Sequence, residues 1–235
     1  MRDPSIHRAY WEGARDSLPF LIVVIPFGMI FGVLASEAGW TLAQILGMSV
    51  LVVAGASQFT ALQLIGEQAP LLIVIATSLA VNLRMAMYSA SIAPHLGATP
   101  PLRRAAAAYF LTDQSYGVAI SRYARHPVLA TPAARLAYFF GCALPVCGPW
   151  YVATWAGAVA GAAIPEALAL DFAVPVTFIA LVAPGLRTLP NLAAALVSAA
   201  VALALYRLPY SLGLLVAAGA AMAAGALAEI WRDRR

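Results

Sequence analysis

The chain has 235 residues, 63% hydrophobic and only 10% charged, whereas an ordinary soluble domain is about 45–50% apolar and about 25% charged. That excludes a water-soluble monomer. The basic residues are all arginine and the net charge is only +4, too sparse for a phosphate-tracking surface, so nucleic acid is excluded as a partner. Cys142 and Cys147 lie in an uncharged stretch at a spacing that fits neither a C-x-x-C redox pair nor a four-ligand zinc set, which leaves them as small buried apolar residues. No metal or cofactor motif occurs.

Charged residues cut the chain into uncharged runs at 17–36, 38–66, 68–83, 85–102, 136–165, 172–186, 188–206 and 208–228. About 20 apolar residues span a bilayer as a helix. Joining the runs on either side of Arg84 and adding 105–121, with its Asp113, gives about eight hydrophobic segments. The fold class is an all-α polytopic integral membrane protein. Residues 1–17 form a cytoplasmic or interfacial N-terminal segment, in which the amphipathic stretch 7–16 carries Tyr10 and Trp11 at headgroup level. Residues 18–228 form one transmembrane helical domain, and 229–235 a basic cytoplasmic tail.

The distribution of arginines places both termini in the cytoplasm. Two topologies satisfy it. Eight plain crossings leave Arg103, Arg104 and Arg207 outside; six crossings, with 38–66 and 105–121 each entering and leaving by one face, leave only Arg207 there. A weak internal echo pairs Leu18-Pro19 and Pro26-Phe27-Gly28 with Val174-Pro175 and Pro184-Gly185, the kind of paired interruption that inverted-repeat transporters carry.

Polar groups inside such segments cost free energy unless paired, by about 2.5–3.5 kcal/mol for a central Arg or Asp on insertion scales. Three clusters stand out. The first is Gly55-Ala56-Ser57-Gln58-Phe59-Thr60, in the middle of a run longer than one span requires. A half-helix starting there would aim backbone donors at an anion; close helix packing through Gly55, Ala56 and Ser57 is the alternative. The second is Asn82-Leu83-Arg84 with Tyr88. On a regular helix Asn82 shares a face with Ser78 and Ser89, and Arg84 one with Thr77, Tyr88 and Ser91. Either both faces meet protein, or the helix unwinds so that Asn82 and Arg84 converge. The third is Thr112-Asp113-Gln114-Ser115-Tyr116, where Asp113 could neutralise Arg84, hold an ammonium or a cation, or carry a proton. Trp150, Tyr151 and Trp155 read as packing or interfacial aromatics, and His95 and His126 as loop residues without ligand partners. No hydrolase or nucleotide-binding motif is present, so the chain reads as no enzyme.

These clusters, with Gly13-Ala14-Arg15-Asp16-Ser17-Leu18-Pro19, Ala93-Pro94-His95-Leu96, Leu170-Asp171-Phe172 and Tyr206-Arg207-Leu208-Pro209-Tyr210-Ser211-Leu212-Gly213, resemble the AzlC family of branched-chain amino acid exporters from end to end. The resemblance implies a multi-pass protein of the bacterial cytoplasmic membrane that exports Leu, Ile and Val, with methionine open, alongside a small hydrophobic AzlD-like partner. The chemistry of the clusters is consistent with it and gives a substrate site at Gly55, Ala56, Ser57, Gln58, Phe59, Asn82, Arg84 and Tyr88, with Asp113 and Arg84 as a proton-coupling group or ion pair. In that site a half-helix at 55–58, with Arg84, would hold the carboxylate, Asp113 or a backbone carbonyl would receive the ammonium, and Phe59 and Tyr88 would take the side chain. Many relatives carry histidine after Asn-Leu-Arg, where this chain has Met85, and an acid after Thr-Asp, where it has Gln114. Asp113 is then the remaining intramembrane acid for proton antiport. The rival readings are a membrane subunit whose polar clusters bind the partner and a transporter of another small apolar solute.

Overall fold

The computed structural model describes residues 4–97, 99–123, 129–161, 186, 188–209 and 212–233. All elements among them are helical: α1 (Pro4–Ser17), a single 3-10 turn (Leu18–Phe20), α2 (Leu21–Glu37), α3 (Leu42–Leu51), α4 (Gly55–Gly66), α5 (Leu71–Leu96), α6 (Pro101–Tyr109), α7 (Asp113–Tyr123), α8 (Pro132–Gly161), α9 (Leu189–Ala204) and α10 (Leu212–Asp233). Among the described residues four stretches are long and apolar enough to cross a membrane: Ser5–Glu37, Leu71–Leu96, Pro132–Gly161 and Leu212–Arg232. The outer faces carry large exposed hydrophobics such as Ile22, Leu83, Leu102, Leu196 and Met222, a composition that only lipid or a membrane partner can cover. This is a multi-pass helical membrane fold. The sequence expectations at the extreme termini Arg2 and Arg235, at His126, Leu170-Asp171-Phe172, residues 172–185 of the uncharged run, the 174–185 echo and Tyr210-Ser211 lie outside the described residues.

The chain divides into two compact units, one comprising Met1–Phe59 with Val81–Leu168 and the other Thr60–Ala80 with Ala169–Arg235. The first is built around α8, along which α1 and α2 lie end to end. Glycines set that contact. A side chain at Gly13 would strike the Tyr138 carbonyl, at Gly32 the Thr154 carbonyl, at Gly141 the Tyr10 carbonyl and at Gly157 the Met29 carbonyl. Residue numbers rise together on both helices, so α1–α2 runs parallel to α8. Without a hydrophobic drive between helices in lipid, such backbone contact is a main source of association. Ala9, Ala14 and Ser17 give α1 its buried face, while Trp11 stays exposed.

The second half of α5 and the helix pair α6–α7 complete this unit. Arg84 and Tyr88 meet Asp113, Ser91 meets Tyr116, and His95 meets the Tyr123 ring, so α5 and α7 run in one direction. Tyr123 in turn meets Tyr138 and the Arg135 carbonyl near the start of α8, and Arg135 also donates to the His95 carbonyl. Hence α5 is antiparallel to α8 and to α2. Asp16 ties the same end together, accepting from Arg122 Nη2 at 3.1 Å and from Tyr138 Oη at 2.6 Å. His95 belongs to the last turn of α5, not to a loop.

Local signals explain the short helices. Thr41 and Gln44 form a capping box that starts α3. Pro100 is extended and Pro101 occupies the first turn of α6, where its missing donor costs nothing. Thr112 and Ser115 exchange backbone-to-hydroxyl bonds at the start of α7, a serine variant of the same device.

In the second unit α9 and α10 form an antiparallel hairpin. Gly225 faces Ala194 and Pro190, and a Cβ at Gly213 would lie 2.6 Å from the Leu205 carbonyl. Thr188 caps α9 by accepting from the Asn191 amide.

Candidate functional site

Two helix breaks carry the polar groups. At the first, α3 ends at Leu51 and α4 begins at Gly55, with Val52 extended between them. A half-helix therefore starts at Gly55, with the break at residues 52–54 just before it. Gln58 is fully buried and its Nε2 donates to the Val52 carbonyl, which satisfies one acceptor freed by the break. Its Oε1 is buried with no partner among the described residues, and so is the indole Nε1 of Trp150.

Gly55 is required for space rather than conformation. Its φ is not in the left-handed region, so the positive φ that such a break could have used is not needed. A Cβ there would lie 2.9 Å from Trp150 Cη2 and 3.0 Å from Phe27 Cε1. Phe59 packs tilted against Phe27 at 4.7 Å and edge-on against Phe31 at 5.5 Å between ring centroids, and Ala56 and Ser57 are buried beside it. The first turn of α4 thus lies against an aromatic wall from α2 and α8.

At the second break α6 ends at Tyr109 and α7 begins at Asp113. Arg84 Nη2 lies 3.0 Å from Asp113 Oδ2, and Tyr88 donates its hydroxyl to Asp113 Oδ1 at 3.0 Å. Tyr88 stacks on Tyr116 at 4.2 Å and 10°, and Tyr116 donates its hydroxyl to Ser91 Oγ at 2.9 Å. The carboxylate is neutralised by a guanidinium, a phenol and the positive end of α7, the combination that makes a charge affordable inside a membrane. Both charged side chains remain about a third open, 29% for Arg84 and 31% for Asp113. Of the two possibilities for α5, the regular helix is the one adopted: it runs unbroken through Asn82. Asn82 Oδ1 and Arg84 Nε are buried without partners among the described residues.

The breaks meet. Tyr109 donates its hydroxyl to the Val50 carbonyl, with Tyr151 Oη 3.4 Å away. The hairpin α3–α4 follows α2, and the hairpin α6–α7 follows the oppositely directed α5. Each half of the unit therefore repeats one pattern, a long helix followed by two short ones around a break, with the direction reversed. This correspondence differs from the proline echo read in the sequence, and no sequence similarity announces it. Phe27, Trp150 and Tyr109 are the site-lining residues that sequence reasoning did not select, while Tyr116 was named only as part of the Asp113 cluster. An aromatic next to a break was the available signal only for Tyr109. No group of three or more potential metal ligands occurs among the described residues.

A multi-pass helical membrane protein with polar groups gathered at paired helix breaks has the build of a membrane transporter. The model of the AzlC protein family matches residues 19–164, and the chain belongs to that family, one associated with branched-chain amino acid export. Membership places it among transporters rather than enzymes. The chain is 26% identical to the inner membrane protein YgaZ of Escherichia coli K12, over 86% of this chain and 84% of the relative. It is 30% identical to an uncharacterized membrane protein of Archaeoglobus fulgidus, over 88% and 90%, and 32% identical to one from Helicobacter pylori over 47% and 48%. No solved structure matches.

Proposed function

We propose that this protein exports branched-chain amino acids across a bacterial cytoplasmic membrane by proton antiport, working with a small AzlD-like membrane subunit. The observation that carries the reading is the meeting of two oppositely directed helix breaks at Val50 and Tyr109. The unpartnered Trp150 indole offers a donor to a carboxylate, and the unpartnered Gln58 Oε1 offers an acceptor to the ammonium. Phe27, Phe59 and Trp150 supply the apolar wall for the side chain. An apolar pocket separates homologues differing by one methylene by only about 1–3 kcal/mol, which keeps methionine within range. Arg84, Tyr88 and Asp113 form the coupling cluster: a proton on Asp113 would weaken its hold on Arg84 and loosen α5 from α7.

The antiparallel course of α5 supports the six-crossing topology. With α1 cytoplasmic, α2 runs outward and α5 inward, α3–α4 dips in from outside, and α6–α7 dips in from the cytoplasm, so that Arg103 and Arg104 obey the positive-inside rule. Counterflow of radiolabelled leucine in proteoliposomes of this chain with and without the partner, under an imposed pH gradient, tests the reading. Leucine accumulation that follows the gradient supports it, and its absence with both subunits present refutes it. If the chain acts as a scaffold for the partner, leucine binding will be found only on the partner.

A further inference from the structure

A cavity of about 370 Å³ opens between α5, α6 and α8, a size typical of small-molecule sites. Its wall is aliphatic, from Ile92, Leu96, Ala107 and Leu111, with Phe139 at the back. Among the described residues one charged side chain lines it, that of the exposed Arg104, which has no side-chain partner there. Arg104 stands in the first turn of α6, whose N-terminal end adds positive potential. The cavity runs along α6 as far as Leu111, immediately before Thr112 and the Asp113 break, a path of about 15 Å at helical rise. It lies at the end of the unit where α5 finishes and α8 starts.

We propose that this cavity is the cytoplasmic loading site, in which Arg104 binds the carboxylate of an aliphatic amino acid and the wall takes its side chain. The proposal rests on the export reading above, since an exporter must take its substrate from that side. Three features select the ligand. A lone guanidinium unspent on any acid is matched to one carboxylate. The neighbouring wall of short aliphatic groups matches a branched hydrocarbon of a few carbons. Among the described residues no acid lines the cavity, so the ammonium stays at the hydrated mouth until the substrate moves on towards the breaks. Arg104 is a specificity-determining residue in this scheme, and it acts before the coupling cluster does.

The experiment measures leucine transport in vesicles of both orientations from cells that also express the partner. Leucinol, which lacks the carboxylate, and 4-methylpentanoate, which lacks the ammonium, serve as competitors. Expected for the unaltered protein is competition by 4-methylpentanoate and little by leucinol on the cytoplasmic side. Arg104→Gln should raise the half-saturating leucine concentration on that side roughly tenfold or more, the loss of one charge-assisted hydrogen bond, and should abolish the preference for the carboxylate. On the opposite side it should change little. Arg104→Lys should recover most of the affinity. Ala93→Phe, on an exposed lining position of α5, should weaken leucine while keeping the carboxylate preference. Folding is controlled by yield and elution profile of each variant. An unaltered half-saturation in Arg104→Gln overturns the proposal, as does an equal rise on both sides. Loss of co-purifying anionic phospholipid from Arg104→Gln with leucine kinetics unchanged also overturns it, and assigns the cavity to lipid. If the unaltered protein moves no leucine, the export reading itself falls before any variant is compared.

Discussion

Tyr109 and Val50, 59 residues apart, are joined by a hydrogen bond from the phenol to the main-chain carbonyl. Val50 is in the last turn of α3, where carbonyls have no helical partner, and Tyr109 is the last residue of α6. One bond thus satisfies an acceptor freed by the first break with a donor carried by the second. Two hairpins that belong to opposite faces of the membrane in the proposed topology are thereby tied at their tips.

Tyr109→Phe should leave the fold in place, because the phenol is partly exposed and a hydrogen bond of this kind contributes only about 0.5–1.5 kcal/mol. Transport should fall further than stability does if the tips must part and rejoin in each cycle. Melting in detergent and leucine counterflow on one preparation compare the two. Equal, small losses would make the bond a structural tie only.

Arg84 and Asp113 are the second pairing. Asp113→Asn keeps size and removes the charge, and should abolish the response of export to a pH gradient while the protein still inserts. Arg84→Gln leaves a carboxylate in the membrane with Tyr88 as its donor, which should cost about 1–3 kcal/mol; the double variant should regain part of that. A double-mutant cycle in stability, read beside pH-dependent transport, separates the roles. Export by Asp113→Asn that still follows the gradient would remove Asp113 from coupling.

The hydrophobic runs made the membrane class legible, because length and absence of charge are sufficient to name a span. The Arg84–Asp113 pair was legible as one of several fates for Asp113, since an intramembrane acid needs a partner and only one arginine lies at comparable depth. The break at Gly55 was legible from Gly and Ser in an overlong run, but its reason was not. The glycine yields to Trp150, 95 residues away, and periodicity contains no information about a contact of that range. The same limit hid the antiparallel course of α5: a run of apolar residues has no direction until Arg135 meets His95. Asn82 is a third instance, because two polar faces on one helix looked like a reason to unwind, whereas α5 runs unbroken through Asn82.

Glycines on α8 divide into two kinds. A methyl at Gly157 would meet the Met29 backbone, whereas Gly148 has nothing within 4 Å of such a methyl. Gly157→Ala should therefore push α2 from α8 and cost about 1–3 kcal/mol, as overpacking does. Gly148→Ala should be neutral or stabilising by about 0.5–1 kcal/mol, because alanine loses less backbone entropy on forming a helix. Thermal unfolding of both variants in one detergent tests the contrast, and a destabilised Gly148→Ala would mean that this face is covered by something outside the chain.

The direction of α5 makes the last prediction. Cys142 and Cys147 are buried and unpaired, so their replacement by alanine provides a background for single cysteines. Leu71, at the start of α5, and Leu102, one residue into α6, are both strongly exposed, and neither touches the breaks. If α2 runs outward and α5 inward, Leu71→Cys should react with a membrane-impermeant maleimide added to intact cells, and Leu102→Cys only after the membrane is opened. With eight plain crossings α5 would run outward, and the two reactivities would be exchanged. The comparison does not depend on transport activity, and it needs no assumption about the substrate. Labelling of Leu102→Cys in intact cells would reverse α5, place Arg104 on the outer face and remove the basis for a cytoplasmic loading site there.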